Sequence, residues 1–214
     1  MKHTKYPRTP HLPWSEGATS DDVFLNNCSH FEGKEVVVTE KLDGECTSMY
    51  HDKIHARSID SRNHPSRHMV KALWAEKIKD NISDTIKITG ENCFAKHSIY
   101  YDSLPSVFMV FSVFTADSDW YFQWDDVVEW CRVLDLQHVP VLYRGMWDPK
   151  KIKACYTGKS LYGDTQEGYV VRLADKFDVN DFSKSVAKFV RKNHVQTDEH
   201  WMSQKLIPNG ICNV

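Results

Sequence analysis

The spacing of apolar residues changes along the chain, and the changes divide it into elements. Val36-Val37-Val38-Thr39 is a β-branched run of strand length. "GECTSMY" (44–50) and "IHARS" (54–58) flank the polar His51-Asp52-Lys53 and read as a hairpin. Met69, Val70, Leu73, Trp74 and Ile78 recur at helical intervals, which predicts a helix over 68–79. "TIKIT" (85–89) is a short strand opening onto Gly90-Glu91, and "VFMVFSVF" (107–114) is apolar on both faces, as a central buried strand must be. From Trp124 to Leu134, acids alternate with Val127, Val128, Trp130, Cys131 and Leu134 in an amphipathic helix. "VPVLYR" (139–144) is a strand, and Pro149 to Tyr156 a short helix with proline in its first turn. "EGYVVRL" (167–173) and "VAKFVR" (186–191) close the series of strands. Residues 1–35, rich in proline and polar groups, form an irregular arm. Strands outnumber helices and the two are interspersed, so the class is α+β, with mainly antiparallel sheets and flanking helices. No repeat or low-complexity linker divides residues 1–214, and one domain is expected.

Composition narrows the setting. Among 214 residues, 41% hydrophobic and 26% charged is the balance of a soluble globular chain. No apolar stretch approaches the roughly 20 residues of a membrane span. The N-terminus lacks an apolar signal core, so a cytoplasmic protein is expected. The six cysteines include no C-x-x-C pair and read as buried free thiols of a reducing compartment. The eleven histidines show no zinc spacing, and no structural metal is expected from them.

A net charge of −2 argues against indiscriminate nucleic-acid binding, but the cations are clustered. Arg57, Arg62 and Arg67 lie with His55, His64 and His68 against the single acid Asp60. Lys184, Lys188, Arg191 and Lys192 form a second group. Two such clusters point to an anionic ligand. "TGKS" (157–160) is not a phosphate-binding P-loop, because the position requiring glycine, 153, is lysine.

The chemistry centres on Lys41, at the end of the valine strand and between Glu40 and Asp43. A free lysine has a pKa of about 10.4, so near neutrality roughly one molecule in a thousand is the nucleophilic amine. Neighbouring cations or a metal lower that value. Strand alternation turns Glu40 and Leu42 away from the Lys41 face. Asp43 is expected to secure the turn that Gly44 permits.

These residues fall into an ordered series. Lys41-Leu42-Asp43-Gly44, Arg57-Ser58, Gly90-Glu91-Asn92, "FMVFSVF", Glu167-Gly168-Tyr169-Val170-Val171-Arg172 and Lys188 occur along nearly the whole chain. In that order they resemble the motifs of the covalent nucleotidyltransferase superfamily, which holds polynucleotide ligases and RNA capping enzymes. The resemblance implies the ligase adenylylation fold (ATP-grasp-like), ATP and Mg2+ (or Mn2+) as cofactors, and Lys41 as the residue that becomes adenylylated. It implies that Lys188 binds the α-phosphate and helps to depress the Lys41 pKa. Glu91 would accept from ribose hydroxyls, Glu167 would hold the metal, Arg57 would contact ribose or phosphate, and Phe111 would stack on adenine. Glu40, Leu42 and Arg191 complete the implied nucleotide-binding set. The superfamily's motif V carries a second base two positions on, where this chain has Val190, followed by Arg191. Too few residues follow for the oligonucleotide-binding barrel that DNA ligases and capping enzymes append, so none is expected.

A compact ATP-dependent RNA ligase is the reading that follows, sealing RNA 5′-phosphate and 3′-hydroxyl ends as a monomer, with a separate end-healing enzyme as its partner. The alternatives are a minimal DNA nick ligase, a guanylyltransferase and a catalytically silent nucleic-acid-binding module. "KYPRTPHLPWS" (5–15) and "NHVQTDEHW" (193–201) resemble the terminal segments of small bacterial and phage RNA ligases. They are expected to pin the arm rather than to shape the groove.

Overall fold

Three successive valines can all be buried only where a sheet is covered on both faces, and that is where Val36–Val38 lie, each fully enclosed. The computed structural model describes residues 1–17, 22–192 and 205–212. Its strands are β1 (Glu35–Lys41), β2 (Glu45–Met49), β3 (Ile54–Ala56), β4 (Ile86–Asn92), β5 (Phe108–Thr115), β6 (Trp120–Tyr121), β7 (Gln137–His138), β8 (Val141–Met146), β9 (Gly168–Leu173), β10 (Phe177–Asp178) and β11 (Val186–Val190). The helices are α1 (His68–Leu73), α2 (Trp124–Val133), α3 (Pro149–Lys153) and α4 (Phe182–Ser185).

Two sheets form, in the orders β11-β9-β1-β8 and β10-β6-β5-β4-β2-β3. Every pairing is antiparallel except β7, which lies parallel beside β5. In the first sheet Thr39 and Lys188 both oppose Val170, so Thr39, Lys41, Val170, Arg172, Val186 and Lys188 project from one face. That face looks across a cleft to the second sheet. The helices α1 and α2 cover the second sheet's other side, where Val70, Ile78, Val127 and Cys131 share a core with Met49, Ile88 and Val113.

The expected elements are present with shifted limits. The 68–79 helix is α-helical only to Leu73 and continues through Trp74–Ile78 as a wider π turn. The two-residue strands β6, β7 and β10 and the four-residue α4 are too short to leave a periodic signal. Burial separates the cysteines: Cys93 and Cys131 are enclosed, Cys28, Cys46 and Cys155 are half-buried, and Cys212 is exposed, so the buried-thiol expectation holds for two of six. Among the described residues no helix is long and apolar enough to cross a membrane.

The arm is irregular as expected, yet closely docked. Pro10 accepts from Lys188 N at 2.9 Å and Leu12 N donates to Lys188 O at 2.8 Å, so the arm lies along the edge of β11. Trp14 Nε1 donates to the Tyr169 hydroxyl at 2.9 Å. Pinning is thus one of its roles. The segment 193–201 lies outside the described residues.

Candidate active site

A cleft of about 1030 Å³ opens between the two sheets. One wall is the first sheet's inner face with Thr39, Lys41, Val170, Arg172 and Lys188, and the other holds Cys46, Glu91 and Phe111. Tyr6 to Thr9 of the arm close one side, and Arg57 to His64 form part of the rim. The arm therefore shapes the groove as well as being pinned, which corrects the narrower expectation.

Lys41 is the last residue of β1, with Nζ 2.6 Å from Glu167 Oε2. Burial alone lowers the Lys41 ammonium, but the carboxylates of Glu167, Glu91 and Asp43 outweigh it and hold the lysine well above its usual range. Lys188 does not depress Lys41, contrary to expectation, because the three acids dominate. The depression falls on Lys188 itself, through burial and the neighbouring Lys41 charge.

Asp43 and Gly44 also differ from expectation. Asp43 Oδ2 accepts from Ser98 N and Ile99 N, each at 2.7 Å, and so fastens a distant loop rather than its own turn. Gly44 is needed for space: a Cβ there would meet the Asn92 carbonyl oxygen at 2.5 Å. That close approach brings Gly44 N to Glu91 Oε1 at 3.1 Å. Burial, reinforced by the Glu167 and Asp43 charges, pushes the Glu91 carboxyl up to about 8 against the opposing pull of Lys41.

Glu40 lines the cleft but is 2% exposed, and its Oε2 accepts from Leu161 N at 3.2 Å. Burial raises the Glu40 carboxyl, against the pull of hydrogen bonds from Ser160 and Leu161. Leu42 lies beside it in the wall.

Phe111 owes its position to a register shift. Thr89 pairs with Ser112 and Gly90 with Val110, so Phe111 is the extra residue of a β-bulge and turns into the cleft. The Tyr6 ring meets it edge-on, 5.1 Å between centroids.

Not every assigned residue lines the wall. Glu167 is 5% exposed and sits behind Lys41. Arg191 follows the end of β11, where its Nη1 reaches the Lys192 carbonyl at 3.4 Å and its side chain is not part of the cleft lining. Val190, at the position of the second base, is buried. Arg67 grips Glu45 through Nε at 2.6 Å and through Nη2, and Nη1 donates to the Arg62 carbonyl, so its charge is spent on fixing the rim. Arg57, Arg62 and Arg67 all line the cleft.

Four participants escaped the sequence reading: Tyr6, Arg8, Asp22 and Arg172 all line the cleft. Arg172 is 4% exposed, donates to the Leu173 and Phe122 carbonyls at 3.1 and 2.5 Å, and packs on Trp124 and Phe177. Burial lowers its guanidinium to about 10. Strand alternation from Val170 would have placed Arg172 on the Lys188 face; no local pattern marks the three arm residues.

The RNA ligase family model matches residues 34–190, from the start of β1 to the end of β11. The chain belongs to the RNA ligase family. Solved structures of Naegleria gruberi RNA ligase share the fold. The form with pyrophosphate aligns at TM-score 0.62 and 18% identity, over 90% of this chain and 59% of that one. A lysine mutant with ATP and Mn aligns at 0.58 and 15% identity, over 89% and 61%. A second lysine mutant, with AMP and Mn, aligns at 0.57 and 17%, over 87% and 57%. This chain thus spans about three-fifths of those ligases' length. No curated protein matches it.

The cleft thus holds Lys41 and Lys188 on one sheet face, with Cys46, Glu91 and Phe111 on the opposite wall.

Proposed function

We propose that this protein is an ATP-dependent RNA ligase that joins 5′-phosphate and 3′-hydroxyl RNA ends through a lysyl-AMP intermediate. The observation that carries the reading is the placement of Lys41 and Lys188 on one face of the first sheet, with Lys41 Nζ 2.6 Å from Glu167. Phe111, which lines the cleft wall opposite Lys41 and Lys188, stacks on the adenine, and Glu40 and Leu42 complete the lining of the nucleotide site. Glu91 accepts from a ribose hydroxyl, and Arg57 contacts ribose or phosphate.

Lys41 Nζ attacks the α-phosphorus, the N–P bond forms, and the bond to pyrophosphate breaks. The ammonium must first lose its proton to water, which the contact with Glu167 Oε2 opposes by favouring the charged form. Lys188 stabilises the charge that develops on the α-phosphate. The RNA 5′-phosphate then takes the adenylate, and the 3′-hydroxyl displaces AMP to form the phosphodiester.

The residues present fit a divalent cation. The buried Glu167 carboxylate is paired with a positive charge, the Lys41 ammonium, which marks the place as one where a cation is tolerated. Among the described residues no three metal-binding side chains converge, as suits Mg2+, which rests on one or two carboxylates with substrate phosphates and water. Glu167 would hold it, and the cation would supply positive charge beside the phosphates while drawing that carboxylate away from Lys41.

Incubation with labelled ATP or GTP and magnesium tests the reading, followed by sealing of 5′-phosphate ends to 3′ strands of RNA or DNA. The expected result is one AMP per chain from ATP, none in Lys41→Ala or Lys41→Arg, and faster sealing of RNA, whose terminal 2′-hydroxyl distinguishes it. Label from GTP would indicate a guanylyltransferase, equal sealing of DNA a nick ligase, and no covalent label a binding module.

A further inference from the structure

The arm supplies a carboxylate to the active-site lysine across the cleft. Asp22 Oδ1 lies 3.7 Å from Lys188 Nζ. The same oxygen is 3.4 Å from His11 Nε2, and His11 is 1% exposed. On its other side, His11 Nδ1 is 2.7 Å from Ser15 Oγ. Ser15 Oγ in turn accepts from Val190 N at 3.0 Å and lies 3.5 Å from Val190 O. When the hydroxyl donates to its nearer acceptor, Nδ1, the imidazole carries its proton on Nε2, facing Asp22.

This row of serine, histidine and aspartate is not a hydrolytic triad. Ser15 is 8% exposed and its oxygen is committed to the β11 backbone, so no substrate reaches it. The row ends instead on Lys188. Its anchor is the same strand: Pro10 O and Leu12 N clasp the Lys188 backbone, and Ser15 clasps that of Val190. His11 and Ser15 are therefore fixed to β11, and the segment carrying Asp22 is fastened to His11 through His11 N to Val23 O at 2.7 Å, which sets the carboxylate beside the Lys188 side chain.

Lys188 needs such a partner. Burial and the charges of Lys41 on β1 and Arg57 beyond β3 all disfavour its ammonium. Opposing them are Asp22 and Glu167, and Glu167 is already engaged by Lys41 at 2.6 Å. His11 meets the Lys188 backbone through a β-bridge, and its imidazole contacts the Asp22 carboxylate.

We propose that Asp22, braced by His11, is a positioning residue for the ligase reaction, holding the Lys188 ammonium charged and aimed into the cleft. The proposal rests on the ligase reading for its catalytic consequence, but not for its chemistry.

Competitive trace acetylation across a pH series, read by peptide mass spectrometry, reports the protonation of Lys188 whether or not the protein is active. Asp22→Asn is expected to move the Lys188 midpoint down by about one pH unit. His11→Gln is expected to move it the same way by less, and Asp22→Glu to leave it near wild type. Lys184, paired with Asp181 on the surface, serves as the unmoved control. The alkaline limb of self-adenylylation should fall to lower pH with the Asp22→Asn midpoint, whereas a merely structural role would scale the rate equally at every pH. An unmoved or raised midpoint in Asp22→Asn, with its melting temperature kept, overturns the proposal. If Asp22→Asn melts early, the His11→Gln midpoint decides in the same sense. Should the wild type take no AMP, the ligase reading fails while the labelling midpoints still decide the role of Asp22.

Discussion

Glu91 shows at the scale of one residue how a site stores electrostatic cost. Its carboxyl is pushed up to about 8, chiefly by burial, so across the range from 4.5 to 8 the folded chain retains a proton that the unfolded chain has released. The unfolded state binds fewer protons in that window, and stability must fall as pH rises through it. Glu91→Gln keeps an oxygen for Gly44 N and removes the titration. It is expected to leave stability near wild type at pH 5 and to exceed wild type at pH 8 by at least about 1 kcal/mol, or roughly 2–4 °C in melting temperature. Thermal melts at the two pH values check this, and equal gains at both would rule it out. The same residue was legible in the sequence, as were Lys41, Glu167 and Lys188, because each occupies a fixed offset in a short motif. Their charge state was not legible. It depends on carboxylates from three separate segments that only the folded sheets bring together.

At the scale of elements, β1, β4, β5, β8, β9 and β11 announced themselves through apolar or β-branched runs and β2 and β3 through the turn between them, while β6, β7 and β10 did not. A two-residue strand has no period to detect and forms only against a neighbour already in place, β5 for β6 and β7 and β6 for β10. The bulge in β5 was hidden for a different reason. "FMVFSVF" reads as an unbroken apolar strand, and the extra residue is visible only in the pairing with β4. That bulge turns Phe111 out of regular alternation and into the cleft lining, where the ring also packs against the core of the second sheet. If it stacks on adenine, its loss costs about 1–3 kcal/mol of base binding. Phe111→Ala is therefore expected to raise the KM for ATP in self-adenylylation by about tenfold or more, with a smaller change in kcat. Phe111→Tyr should restore most of it. An unchanged KM in the alanine variant would assign the ring to packing alone.

The whole molecule joins two sheets and an arm around one basic cleft, and the charge near the mouth is divided between two tasks. Arg67 is committed to Glu45 and to the Arg62 carbonyl, holding the rim in shape. Arg62 itself is exposed and lines the cleft, its backbone fixed by that clasp. Sequence alone grouped Arg57, Arg62 and Arg67 as equal phosphate contacts, since a cluster of cations does not reveal which of them has an acid partner across the fold. The division has a measurable consequence. RNA binding through phosphates releases counterions, so log affinity falls with log salt in proportion to the contacts made. Arg62→Gln is expected to weaken binding of a 5′-phosphorylated RNA across sequences and to reduce the salt slope by about one. Arg67→Met should instead lower the melting temperature, because it leaves Glu45 half-buried without its partner. Any affinity that Arg67→Met loses should come with that instability rather than with a contact of its own. Fluorescence anisotropy over a salt series, with melts of both variants, separates the two roles. A slope lost in Arg67→Met with stability unchanged would return Arg67 to the phosphate-binding set and leave the rim without its clasp.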